Sequence, residues 1–152
     1  MTHTHEDRVA DRPHYLCAAY GCPLYGSMSG SIGSDEWYCP IHFGQSFGVM
    51  QAITGEINRH PEMVRAINGI RDGGVLSRRA WAESARKIIT DLHTSGQGAL
   101  TPLTGERAKA WMQRIEGALL AHCWPLMHPP EPVQASLVPD GLERVQFDVP
   151  EF

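Results

Sequence analysis

The 152 residues suffice for one ordinary domain, or for a small metal-held module joined to a modest helical one. Apolar residues make up 42% and charged ones 20%, the balance of a soluble globular protein, and no apolar run approaches the roughly 20 residues of a bilayer crossing. The formal charge of −4 argues against bulk attraction to nucleic acid, yet it averages a slightly basic middle, ten Lys or Arg against seven acids between Gly44 and His128, with an acidic end, one Arg against five acids from Pro129 onward.

Residues 1–15 read as a flexible leader. They lack the basic start and apolar stretch of a secretory signal, so the four cysteines are expected as thiols of a cytoplasmic protein rather than as disulfides. His3 and His5 in this leader are taken as adventitious metal contacts at most.

A cysteine module follows over residues 16–43, with the pattern C-x4-C-x16-C-x2-H formed by Cys17, Cys22, Cys39 and His42. Two close pairs separated by a loop can each deliver two donors to a tetrahedron without straining the backbone, which is what one zinc ion requires. Gly21 permits the turn that brings Cys22 back toward Cys17. Pro40 suits the first turn of a helix, so Cys39 and His42 are placed at a helix N-terminus. Between the pairs, Gly26, Gly30 and Gly33 allow a turn, with Trp37 and Tyr38 as the returning strand. With four protein ligands and no carboxylate inside the cluster, the zinc is expected to be structural, not catalytic.

The periodicity then changes to that of helices, over residues 44–124. Phe47, Met50, Ile53 and Ile57 recur at helical spacing, and Pro61 ends that helix and opens a second whose stripe is Met63, Val64, Ile67 and Ile70. The Gly73-Gly74 pair closes it. Ser77 caps a third helix with the stripe Trp81, Ala85, Ile88, Ile89 and Leu92. Thr104 precedes a fourth, with Glu106 near its positive end and Ala108, Trp111, Met112, Ile115, Leu119 and Cys123 on one side. His60, His93 and the His122-Cys123 pair read as helix-end and core residues rather than a second site. Arg79, Arg86 and Lys87 lie off the Trp81 stripe and are the candidates for phosphate contact, although Glu83 at i,i+4 from Lys87 suggests a merely solvated face. Tyr20, Tyr25 and Trp37 are expected to cover the hairpin more readily than to stack on bases.

From Pro125 onward six of the eleven prolines fall within 28 residues, so 125–152 is expected to be an extended acidic tail. The fold class is therefore mainly α: a small N-terminal zinc-bound β-hairpin module, a roughly four-helix bundle, and that tail. No phosphate loop, nucleophile elbow or paired-carboxylate motif is present, which points away from an enzyme.

Two resemblances follow. Knuckle, hairpin and helix around the Cys-Cys-Cys-His set resemble a treble-clef zinc finger, although its usual first spacing is x2 rather than x4. The terminal Gln146-Phe147-Asp148-Val149-Pro150-Glu151-Phe152 resembles the peptide by which bacterial replication and repair proteins dock on the DNA sliding clamp. That resemblance implies a hydrogen-bonding role for Gln146 and pocket-filling roles for Val149 and Phe152, with Phe147 between them. Val149 and Phe147 stand where that family prefers Leu, and Glu151 where it has an apolar residue. An acidic end finishing in an aromatic also resembles the C-terminal peptide of single-stranded-DNA-binding proteins, and alternation of Val145, Phe147 and Val149 would equally suit a strand folded back on the body. The reading that follows is a non-enzymatic accessory or inhibitory factor of bacterial or phage DNA replication or repair, with the clamp as partner. The alternative is a zinc-finger nucleic-acid-binding or regulatory protein with a structural tail.

Overall fold

The computed structural model describes residues 15–30 and 35–130. Residues 1–14 of the leader, 31–34 with Gly33, and the tail from residue 131 with Gln146, Phe147, Val149 and Phe152 lie outside the described residues.

The protein is mainly helical. Helix α1 spans Phe47–Ile57, α2 Pro61–Asp72, α3 Arg78–Thr94 and α4 Ala108–Met127, with short 3-10 turns at Gly73–Val75 and Gly98–Leu100. Pro61 stands at the start of α2, where its missing N–H removes no helical bond, and Glu62 places negative charge beside the helix's positive end. Met63, Val64, Ile67 and Ile70 of its stripe are all buried. The Ser77 hydroxyl accepts from the Ala80 amide at 3.2 Å and so caps α3.

Helix α4 is the spine: Trp111, Ile115, Leu119 and Cys123 form its buried stripe, at spacings of four residues. α1 and α2 both pack on it, and α3 packs on α2. The Arg71–Glu116 ion pair, at 3.0 Å, bridges α2 to α4. From within α4, Arg114 reaches back to donate to the carbonyls of Ala99 and Thr101 at 3.1 and 2.6 Å and pairs with Glu106 at 2.9 Å. Trp111 Nε1 donates to the Leu100 carbonyl at 2.8 Å, so the α3–α4 connection is tied to α4 by backbone acceptors.

Four details differ from the sequence expectation. Phe47 is 77% exposed, because α1 begins before it reaches the core and only Ile53 and Ile57 are fully inside. The residue flanking α4 is Arg107, whereas Thr104 and Gly105 form a separate turn in which Gly105 takes φ +77°. α4 also runs through Pro125 to Met127, beyond the expected helical limit at residue 124. A proline in the last turn forfeits one ladder bond at a frayed end, a smaller loss than in a helix interior. Finally, Glu83 pairs with Arg79 at 3.6 Å, not with Lys87.

Residues 15–30 and 35–46 lie against this bundle. Among the described residues they contain no strand beyond two isolated antiparallel bridges, Leu16 with Tyr25 and Met28 with Tyr38. Gly26 is required there, because a Cβ would run into the Trp37 carbonyl. Side chains at the C-terminal cap of α1 and within α2 tie the segment down: Asn58 Nδ2 donates to the Gly21 carbonyl at 3.3 Å and Asn68 Nδ2 to the Pro23 carbonyl at 2.9 Å. The Tyr25 hydroxyl meets Asp72 at 2.9 Å, and burial together with that carboxylate pushes its pKa up to about 12. Leu24 and Ile41 belong to the same apolar cluster as Ile57, Ile67 and Leu119.

Candidate metal centre

The four residues of the Cys-Cys-Cys-His pattern come together. Cys17, Cys22, Cys39 and His42 are all buried, and their donor atoms lie within 4.8 Å of one another. Cys39 Sγ is 3.2 Å and Cys17 Sγ 3.6 Å from His42 Nδ1.

Two turns deliver the pairs. In the first, the Cys22 amide donates to the Ala19 carbonyl at 3.1 Å, and Gly21 adopts φ +77°, a conformation that favours glycine. The amide of Cys17 meets the Leu24 carbonyl at 2.8 Å, which closes the loop behind the two thiols. In the second turn the Cys39 carbonyl accepts from the amides of both His42 and Phe43, at 3.1 and 3.0 Å. The sequence placed Cys39 and His42 at a helix N-terminus; they lie on this turn instead. Gly44, at φ +76°, redirects the chain, and α1 starts only at Phe47.

The imidazole is oriented from its far side. His42 Nε2 is 3.0 Å from the Met50 carbonyl and 2.9 Å from Thr54 Oγ1, and the Thr54 hydroxyl donates to that same carbonyl at 2.9 Å. Acceptors at Nε2 hold a ring proton there and leave Nδ1, which faces the sulfurs, as the nitrogen from which a metal ion would displace a proton. This is the outer-shell arrangement that fixes the tautomer of a metal-ligating histidine. α1 is therefore part of the site, through Met50 and Thr54.

The thiols are electrostatically unequal. Hydrogen bonds from Cys22 and Cys39 pull the Cys17 pKa far down, while hydrogen bonding to Cys17 and Cys39, together with burial, pushes Cys22 far up, so the three thiols share their protons as a group. Burial works to lower His42, but hydrogen bonding to the Cys17 and Cys39 sulfurs outweighs it and leaves His42 raised to about 9. A thiolate facing an imidazole, with two further thiols alongside, can hold a metal ion. His42 is 0% exposed, so the protein closes over the cluster.

Cys123, the remaining cysteine, is buried in the α4 stripe, and burial raises its pKa to about 11; it behaves as a core residue. Arg79, Arg86 and Lys87 are exposed on α3, with Arg79 engaged by Glu83. The aromatics of the module divide. Tyr25 and Tyr38 are partly buried, whereas Tyr20 and Trp37, expected to cover the hairpin, are 63% and 47% exposed.

A second grouping escaped the sequence. Glu56, His60 and His122 bring their ligand atoms within 4.8 Å of one another. The i,i+4 spacing of Glu56 and His60 was its one visible signal, since His122 lies 62 residues beyond His60 and joins them only when α4 packs on α1.

Fold and site together define a mainly helical protein with a buried three-cysteine, one-histidine cluster able to hold a metal ion. Compared with known proteins, the chain matches no family model, no curated protein and no solved structure.

Proposed function

We propose that Cys17, Cys22, Cys39 and His42 hold one structural zinc ion, and that the protein is a non-enzymatic accessory or inhibitory factor of DNA replication or repair in bacteria or their phages. In this reading its C-terminal peptide docks on the sliding clamp. The observation that carries the zinc assignment is the closed, outer-shell-supported donor set. A sulfur about 2.3 Å and a nitrogen about 2.0–2.1 Å from one tetrahedral zinc stand about 3.6 Å apart. The Cys39 and Cys17 sulfurs are at 3.2 and 3.6 Å from Nδ1. Four protein donors fill a tetrahedron, which favours a structural over a catalytic ion. The treble-clef likeness is supported by the Cys17–Cys22 turn and the returning Tyr38 bridge; the helix of that fold would begin at the second pair, and here it begins later.

Clamp docking is supported by the pattern from Gln146 to Phe152, in which a few anchors supply most of the binding energy and a linker supplies reach. Calorimetric titration of a bacterial sliding clamp with the full protein, and with one lacking Gln146–Phe152, tests it. Binding lost on truncation is expected; absence of binding by the intact protein would refute docking. A second reading is favoured by the exposure of Tyr20 and Trp37. They expose aromatic surface and, on α3, Arg86 and Lys87 expose cations; single-stranded DNA binding that falls steeply with salt would support that alternative.

A further inference from the structure

Where the end of α1, the start of α2 and the last turns of α4 meet, three metal-binding side chains converge on the surface. Glu56 belongs to the last turn of α1, His60 flanks Pro61 at the start of α2, and His122 projects from α4. We propose that Glu56, His60 and His122 form a second, solvent-facing site for a zinc-class divalent transition-metal ion, held by three protein donors with water completing the coordination.

Donor identity is the first support. Two imidazoles and one carboxylate are a set that zinc and its first-row neighbours accept, and three protein ligands leave the ion open to solvent. Spacing is the second. Two donors about 2.0–2.1 Å from one ion stand about 2.9 Å apart at a right angle and about 3.4 Å apart at the tetrahedral angle. His60 Nε2 and Glu56 Oε1 are 3.1 Å apart, inside that interval. The other Glu56 oxygen faces Arg59 at 3.6 Å, an arrangement that leaves Oε1 as the ligating atom. The third support is that two of the donors are partly sheltered, with side chains 18% and 21% exposed for His60 and Glu56, which limits the freedom lost on binding.

His122 is the moving part. Its ring stacks on that of His60 with centroids 4.0 Å apart and planes inclined by 26°. An ion lies in the plane of each imidazole that binds it, so His122 must swing out of the stack to bind beside His60. It is exposed and has solvent into which to turn. Binding would then link three helices through one ion, independently of the Cys17–His42 cluster.

Zinc titration of the intact, full-length protein against a chromophoric chelator tests this. Two equivalents are expected, one tight and one weaker. His122→Ala and, separately, Glu56→Gln, which keeps a hydrogen-bonding partner for His60, should each weaken the second equivalent at least tenfold and leave the first unchanged. The unchanged first equivalent serves as the check that both variants fold. A single equivalent in the unaltered protein would overturn the proposal. So would a second equivalent of the same affinity in both variants, which would place it on other histidines such as His3, His5 and His14.

Discussion

Thr54 stands 12 residues after His42 in the chain, yet its hydroxyl lies 2.9 Å from His42 Nε2. Replacing it with valine keeps the branched shape, removes one acceptor of the ring proton and leaves the Met50 carbonyl as the other. Outer-shell partners of a metal-ligating histidine are worth about 10- to 100-fold in affinity, so Thr54→Val should weaken zinc binding by about tenfold, with helicity by circular dichroism unchanged. Competition against a chelator of known affinity measures this, and an unaltered affinity would mean that Met50 alone holds the ring. That Cys17, Cys22, Cys39 and His42 form one cluster was legible because donor type and spacing are properties of the sequence. Thr54, and the meeting of Glu56, His60 and His122, were not, because they depend on which face α1 and α4 present after packing. The first of these pairs of facts is local, the second tertiary.

At the level of elements, the helices were legible wherever apolar spacing and a terminal signal agreed. α2 shows this most fully, with Pro61 at its start and Met63, Val64, Ile67 and Ile70 inside. Ser77 is the sharpest single case: its side chain accepts from the third residue on, and the extended backbone at Ser77 marks the boundary. Ser77→Ala should therefore cost about 1 kcal/mol of stability, read as a lower urea midpoint with unchanged slope. Loss well below that would show the first turn of α3 to be held instead by the packing of Trp81, which sits against Gly73 closely enough that a Cβ there would enter its ring. Signals failed where they were ambiguous. Pro40 fits a helix start and a turn equally well, and Gly44, whose positive φ settles the matter, looks like any other glycine in sequence. Phe47 obeyed the helical period but lies at the exposed end of α1, since periodicity gives direction around an axis and says nothing about how far along it the core extends. The anchors of Arg114 on Ala99 and Thr101 are backbone contacts with no sequence signature at all.

For the whole molecule, the decisive feature is that the cysteine cluster and the helices share one apolar core. Cys17, Cys22 and Cys39 are continuous with Ile53, Ile57, Ile67 and Leu119, while Asn58 and Asn68 hold the first turn's backbone from α1 and α2. His42 is in turn braced by α1, so loss of the proposed zinc is expected to disturb a helix of the bundle and not a detached appendage. Small structural zinc sites contribute roughly 10–16 kcal/mol of apparent binding energy in isolated finger peptides. An entire domain is stable by only about 5–15 kcal/mol, so the metal-free protein is expected near or below its folding threshold. Hydrogen exchange before and after chelation tests this against the alternative of two independently folded parts. If the core is shared, amides of α1 and α2 should lose protection together with those of residues 15–46, and re-addition of zinc should restore both. Loss confined to residues 15–46 would show that the helices stand without the metal, and that the contacts from Asn58, Asn68 and Tyr25 merely dock the cluster onto a body already folded.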